Sequence, residues 1–400
     1  MPMRTRTRSR RAAAWLAPSA LAVAAVTAAL VVVPRLAEAG PGPDQGPARA
    51  LDPVLAERAA GKTEGVRKGK PRPDARDVVL AVHGGAGAAL DRETTTPERE
   101  KAYRDGLAEA LRAGGKVLDS GGSSLDAVEA AVRRLEDNPL FNAGKGAVFN
   151  ADAQHELDAS IMRGSDLAAG AVAGVRSLRN PIEGARLVME KSKHVMLSGE
   201  GADDFGARHG LRTVTQDYYW TQARWDALMR AKETEAGKGA GKGRAARSPE
   251  VLADAQSMGT VGAVARDRDR DLAAATSTGG MTNKLPGRVG DSPVIGAGTY
   301  AKNGTVAVSA TGAGEVFIRG AAASTVSNLI EFKGLGVAPA AYEVVVKRLP
   351  GLGGQGGVIA LGPGGDFDAP HSSPGMLHGY LTGDGDLITK IFPDESPADS

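Results

Sequence analysis

Ser257-Met258-Gly259-Thr260-Val261-Gly262-Ala263-Val264 joins a stretch with no apolar period to a run that reads as a β-strand. Upstream, Thr234 to Arg247 (TEAGKGAGKGRAAR) mixes glycine, small and charged residues and offers no face to a core. Downstream, Thr260–Arg266 (TVGAVAR) and Leu272–Thr276 (LAAAT) flank the charged turn Asp267-Arg268-Asp269-Arg270-Asp271, which predicts a locally paired antiparallel hairpin. Long unpatterned insertions inside a folded chain are uncommon and often functional. A strand that opens on a threonine directly after one singles out Thr260.

The pattern on either side alternates helix and strand. Val78-Val79-Leu80-Ala81-Val82 reads as a strand feeding the glycine turn His83-Gly84-Gly85-Ala86-Gly87. Glu98–Leu118 has helical spacing, and Ser123–Leu135 opens with Ser123…Asp126, a start resembling a capping box. Thr305–Thr311 (TVAVSAT) and Glu315–Arg319 (EVFIR) read as a second strand pair. Ala321–Phe332 and Ala338–Lys347 read as helices, and Gly357–Leu361 as a strand. Local strand pairing with helical runs on both sides predicts a layered α/β protein with antiparallel strands.

Composition excludes several chemistries. The 400 residues contain no Cys, which removes disulfides, thiolate catalysis, zinc ribbons and iron–sulfur clusters. The net charge of +2 is uneven: residues 1–39 hold six Arg and one Glu, leaving 43 basic against 46 acidic residues over 40–400. A slightly acidic body lacks the basic surface of a nucleic-acid binder, so no nucleic-acid partner is expected. Gly61-Lys62-Thr63 has no glycine at the start of a phosphate loop and no strand before it. Gly351-Leu352-Gly353-Gly354-Gln355-Gly356 follows a helix and precedes a strand, the reverse of the dinucleotide order. The six His residues show no tight ligand spacing, and no G-x-S-x-G elbow is present.

Arg4, Arg6, Arg8, Arg10 and Arg11 precede an apolar run from Ala12 to Val33, followed by Ala37-Glu38-Ala39. That order is a basic region, a hydrophobic region and an A-x-A site, and predicts a signal peptide (1–39) cleaved after Ala39. The route, general or twin-arginine, stays open, and an uncleaved membrane anchor is the alternative. The expected location is secreted or extracytoplasmic, with no stable membrane partner once the signal is removed. Residues 40–76 read as a flexible linker, 77–233 as the first half of the body, 234–259 as a second linker and 260–400 as the second half.

Three polar clusters each close an apolar run and could converge on one rim. They are Thr276-Ser277-Thr278-Gly279-Gly280, Gly287-Arg288-Val289-Gly290-Asp291 and Thr311-Gly312-Ala313-Gly314-Glu315. Together with Val82-His83-Gly84-Gly85-Ala86-Gly87, Asn138-Pro139-Leu140-Phe141-Asn142-Ala143-Gly144-Lys145-Gly146, His155 to Met162, Ser198 to Ala202 and Gly259-Thr260-Val261-Gly262, they form an ordered series. Over about residues 77 to 400 the sequence resembles the isoaspartyl peptidases and plant-type L-asparaginases, N-terminal nucleophile hydrolases of the threonine type.

The resemblance implies a four-layer αββα sandwich cut by itself at Gly259–Thr260 into α and β chains, and assembled as a dimer of cleaved heterodimers. It assigns the nucleophile to Thr260, an orienting hydroxyl to Thr278 and an oxyanion hole to Thr311 with the Gly312 N–H. A threonine hydroxyl needs a base, and the α-amine of a newly terminal Thr260, with an ordinary pKa of about 8, can serve. Arg288 would grip the α-carboxylate of an aspartyl or asparaginyl substrate with two parallel hydrogen bonds, and Asp291 its ammonium. Val289 and Gly290 complete that turn. Gly312, Ala313 and Gly314 would let substrate approach the backbone, and Asn142 is a further polar contact. No cofactor is implied beyond a structural sodium ion at the backbone carbonyls of Leu135, Glu136, Asn138, Phe141, Ala143 and Lys145. The expected substrates are small isoaspartyl peptides or L-asparagine. Two alternatives remain: a glycosylasparaginase acting on sugar-linked asparagine, and a secreted aspartyl-ligand binding protein that keeps the fold without turnover.

Overall fold

The computed structural model describes residues 75–239 and 259–395; the expected signal peptide, nearly all of the first linker and residues 240–258 of the second lie outside the described residues. The strands are β1 (Val78–Gly87), β2 (Leu157–Arg163), β3 (Ala169–Val175), β4 (Met196–Ser198), β5 (Val261–Arg266) and β6 (Leu272–Thr278). They continue with β7 (Thr299–Lys302), β8 (Val306–Gly312), β9 (Gly356–Leu361), β10 (Phe367–Asp368), β11 (Gly375–Thr382) and β12 (Leu387–Lys390). The helices are α1 (Pro97–Asp119), α2 (Ser124–Asp137), α3 (Pro181–Lys191), α4 (Gly199–Arg208), α5 (Gln222–Gly239), α6 (Gly314–Gly320), α7 (Ala322–Lys333) and α8 (Val337–Tyr342).

The hairpin after Thr260 forms as the sequence predicts, with Val261 opposite Ser277 and Arg266 opposite Leu272. It lies in the middle of an eight-stranded sheet of order β12-β11-β1-β5-β6-β2-β3-β4; a four-stranded sheet of order β10-β9-β8-β7 accompanies it. Alternation along the strands then builds the layers. Leu80 and Val82 of β1 and Ala263 of β5 pack with Leu107, Leu111, Val128 and Leu135 of α1 and α2. Ala81 of β1 and Val264 of β5 turn the other way and meet Ala307, Ile359 and Leu361 of the smaller sheet. That sheet's far face, Val308, Ala310 and Val358, packs with Phe317, Val326 and Ala341 of α6 to α8. Three apolar interfaces between helix, sheet, sheet and helix make the αββα sandwich.

Local signals and contacts at a distance both shape the elements. Ser123 caps α2, its hydroxyl accepting the Asp126 N–H at 3.2 Å. The expected turn at His83–Gly87 is instead the second half of β1, because β11 pairs with it, Gly85 facing Leu377 and Gly87 facing Gly375. The expected strand Glu315–Arg319 is the helix α6. The strand before it, β8, already pairs with β7 on one side and β9 on the other, so no edge is left for it. Helix α8 passes into a wider π turn over Glu343–Arg348. Helix α5 runs on to Gly239, so the first residues of the unpatterned stretch, Thr234 to Gly239, are helical.

Candidate active site

Thr260 stands one residue before β5, and Thr278 ends β6. The hairpin register therefore sets the two threonines opposite each other, deep in the larger sheet. The Thr260 hydroxyl donates to Thr278 Oγ1 at 3.2 Å. Thr278 Oγ1 also accepts the Gly280 N–H at 2.9 Å and donates its own proton to the Gly259 carbonyl at 3.2 Å. Asn142 Nδ2 reaches the same carbonyl at 2.6 Å. Its amide is fixed from both ends: Nδ2 also donates to the Gly280 carbonyl at 2.7 Å, and Oδ1 accepts the Val148 N–H at 2.9 Å.

Behind the pair, β1 approaches closely. Gly85 has φ +122, and a Cβ there would lie 2.9 Å from Gly259 Cα, so neither the backbone angle nor the space admits a side chain. Thr311 Oγ1 accepts the Ala86 N–H at 3.0 Å, which leaves the threonine's own proton to donate elsewhere. His83 is fully buried, and burial lowers its pKa to about 3, partly opposed by the Thr260 backbone and reinforced by His378. The neutral ring meets Ser309 Oγ through Nε2 at 2.9 Å. Beneath Thr278, Ser277 donates to Glu136 Oε1 at 2.7 Å, and burial raises that carboxyl to about 8.

Thr260, Thr278, Gly280, Met281, Arg288, Gly290, Asp291, Ser292 and Gly312 line a narrow pocket whose cavity volume is only about 10 Å³. A wider, shallow groove between Ser192 and Arg208 holds none of them. Of the remaining sequence candidates, Gly314 borders Asp291 and Arg288, whereas Thr311, Ala313 and the 39% exposed Val289 are not among the lining residues. Asp291 is 4% exposed, and its Oδ2 has no hydrogen-bond partner among the described residues. Burial raises its carboxyl to about 7, against its own backbone N–H and Arg288, which favour the charged form. Gly314 leaves open the space between these two: a Cβ there would sit 2.9 Å from Asp291 Oδ1 and 3.0 Å from Arg288 Nη2.

Arg288 departs from the sequence expectation in one respect. Its Nε and Nη2 already bind the Glu315 carboxylate, each at 2.9 Å, so one edge of the guanidinium is taken. Nη1 points toward Gly280 and Gly290. Partial burial pushes the Glu315 carboxyl up, but its backbone N–H and Arg288 outweigh this and hold it below the usual range. Lys284 lies behind Gly280, its Nζ donating to the Glu156 carbonyl at 2.8 Å. Glu315 and Met281 were not picked out as site residues from sequence, although both stand inside or beside the quoted glycine-rich motifs. Among the described residues, no group of three or more His, Asp or Glu side chains is placed to hold a metal ion.

The site thus combines a hydroxyl pair on facing strands, a carbonyl held by two donors and an adjoining pocket with one cation and one carboxyl. Residues 76–391 match the family described as Asparaginase. An isoaspartyl peptidase of Salmonella typhimurium is 51% identical over 302 residues, covering 76% of this chain and 94% of its own length. One from Escherichia coli K12 is also 51% identical over 302 residues, covering 76% and 92%. The isoaspartyl peptidase/L-asparaginase of Rattus norvegicus is 42% identical over 299 residues, covering 75% and 84%. This chain belongs to the asparaginase family and is an enzyme of the threonine-type N-terminal nucleophile hydrolases.

Proposed function

We propose that the enzyme is an exported isoaspartyl peptidase and L-asparaginase that matures by cutting its own chain before Thr260. One observation carries the reading: the unpartnered Asp291 carboxylate oxygen and the Arg288 guanidinium face the Thr260–Thr278 hydroxyl pair across one small pocket. A zwitterion with a side-chain amide presents an ammonium, a carboxylate and a scissile carbonyl in a matching triangle.

Maturation uses the donors around Gly259. Thr260 Oγ adds to the Gly259 carbonyl carbon while Asn142 Nδ2 and the Thr278 hydroxyl stabilise the developing oxyanion. The C–N bond then breaks, the leaving nitrogen takes a proton, and water hydrolyses the resulting ester. The products are a Gly259 carboxylate and a free Thr260 α-amine. In turnover that amine accepts the Thr260 hydroxyl proton as Oγ attacks the substrate's side-chain carbonyl. Thr278 holds the nucleophile, while the free Thr311 proton and the Gly312 N–H meet the new oxyanion. The leaving amine takes the proton back, and water releases aspartate from the β-aspartyl ester.

The segment from Leu135 to Lys145, the end of α2 and the loop after it, carries Asn142 and is where the sodium ion is expected. Lys145 N–H donates to the Glu136 carbonyl at 2.7 Å, which draws the two ends of this segment together, and neutral carbonyl oxygens are good ligands for hard cations. The carbonyls of Leu135, Glu136, Asn138, Phe141, Ala143 and Lys145 would hold the ion, which would stiffen the loop. Export rests on the arginine-rich leader, and the dimer of cleaved heterodimers on the family resemblance.

Aspartate release should be compared for an isoaspartyl dipeptide, L-asparagine and N-acetylglucosaminyl-asparagine. The first two are expected to turn over faster than the third. A preference for the sugar-linked substrate would point to a glycosylasparaginase, and saturable binding without product to a binding shell.

Asp291→Asn gives a second test, in which stability and affinity move in opposite directions. A carboxyl whose pKa is raised by folding is penalised once ionised, so the wild-type protein loses stability as pH rises from about 4 to about 7. The neutral amide escapes that cost. The variant is expected to melt several degrees higher than wild type above pH 7, with the gain vanishing toward pH 4. Its KM should rise on the order of 10²-fold, the loss of one buried charge-assisted contact. Melting curves at pH 5 and pH 8, with KM at pH 8, check both signs.

A further inference from the structure

We propose that Glu315 is a positioning residue that keeps the two charge receptors of the pocket apart, so that a zwitterionic substrate finds both available. The inference rests on the proposed reading of the pocket. Arg288 and Asp291 are of opposite charge type, three residues apart in the loop between β6 and β7, and both border the gap left by Gly314. Such a pair would ordinarily close on itself. A guanidinium beside a buried carboxylate with a free oxygen gains a charge-assisted bidentate contact. If it closed, the receptor for the substrate carboxylate and the receptor for its ammonium would neutralise each other.

The contact that prevents this comes from Glu315, on the first turn of α6. It takes the Nε–Nη2 edge of Arg288 with two bonds of 2.9 Å. The guanidinium is thereby rotated so that Nη1 faces Gly280 and Gly290, on the pocket side. Asp291 Oδ2 is left without a partner. Glu315 itself reaches outward: its side chain is 57% exposed, against 16% for Arg288. Its carboxylate thus satisfies Arg288 from the solvent side. Lys284 behind Gly280 and the buried Asp158 also act on Arg288 and Asp291 from the other wall, and neither takes the Nε–Nη2 edge.

Calorimetric binding of three probes to the purified mature enzyme tests this. L-Aspartate carries both charges, succinamate the carboxylate without the ammonium, and β-alaninamide the ammonium without the carboxylate. In Glu315→Ala, Arg288 closes on Asp291, and all three Kd values are expected to rise, that of L-aspartate about 10-fold or more. KM for an isoaspartyl dipeptide should follow, with kcat within about twofold, since neither threonine touches Glu315. Glu315→Gln keeps one acceptor for the guanidinium and should recover part of the affinity; it carries the same test if the Ala variant does not fold. Unchanged or tighter binding, or weakening of only one of the single-charge probes, overturns the inference. Failure of the wild-type enzyme to bind L-aspartate would instead count against the proposed function.

Discussion

Thr260→Ala is expected to yield one uncut polypeptide, folded and without turnover. The substitution removes the hydroxyl proposed to attack Gly259, and with it the nucleophile of the mature enzyme. Activity should fall by at least about 10⁴-fold, because attack and base assistance are lost together. The fold should survive. The Thr260 hydroxyl makes one hydrogen bond of 3.2 Å, and such a bond contributes about 1 kcal/mol. Wild-type protein on a denaturing gel should show two bands, the smaller beginning at Thr260. Thr260→Ser should cut more slowly and retain some activity. Full activity from a preparation that is entirely uncut would end this mechanism.

Asn142→Ala is expected to slow maturation by about 10²–10³-fold, the usual effect of deleting one oxyanion donor. The 2.6 Å contact from Nδ2 to the Gly259 carbonyl is the shorter of the two that reach it. The other bonds of the amide explain why no substitute is adequate. Asn142→Asp keeps an acceptor for the Val148 N–H but sets a carboxylate oxygen against the Gly259 and Gly280 carbonyls. It should cut no faster than the Ala variant. The readout is the half-life of the uncut chain on a gel time course, with melting temperature as a control for folding. Cutting at the wild-type rate in both variants would remove Asn142 from the maturation step.

Sequence carried the β5–β6 hairpin because both strands and their turn lie within nineteen residues, Thr260 to Thr278, so register follows from local pattern. Thr260, Thr278 and Gly312 stand at strand ends, beside short apolar runs, whereas Arg288 and Asp291 lie inside the long loop between β6 and β7, where no apolar run marks them. The second half of β1 was not legible. Its glycines look like a turn until β11, almost three hundred residues later, pairs with them. Glu315–Arg319 misled because β-branched and aromatic residues suit a strand, and only the occupied flanks of β8 exclude one. The contacts of Asn142 and Glu315 were hidden for a third reason. Side-chain bonds to Gly259 across 117 positions and to Arg288 across 27 leave no periodic trace.

The order of strands in the larger sheet has a consequence for the life of the enzyme. Strands β1 to β4 precede the Gly259–Thr260 bond and β5 to β12 follow it, yet in the sheet they run β12-β11-β1-β5-β6-β2-β3-β4. The two fragments are thus laced through each other, with β1 flanked by strands of the second fragment and β5–β6 clasped between strands of the first. The scissile bond acts like temporary scaffolding. It is needed while the strands find their places, and dispensable once the ladder hydrogen bonds hold them. Cutting it turns a unimolecular folding problem into a bimolecular one, so the mature enzyme persists through its barrier to unlacing more than through an ability to refold. Maturation would trade the capacity for repair against a nucleophile that no intact chain can present.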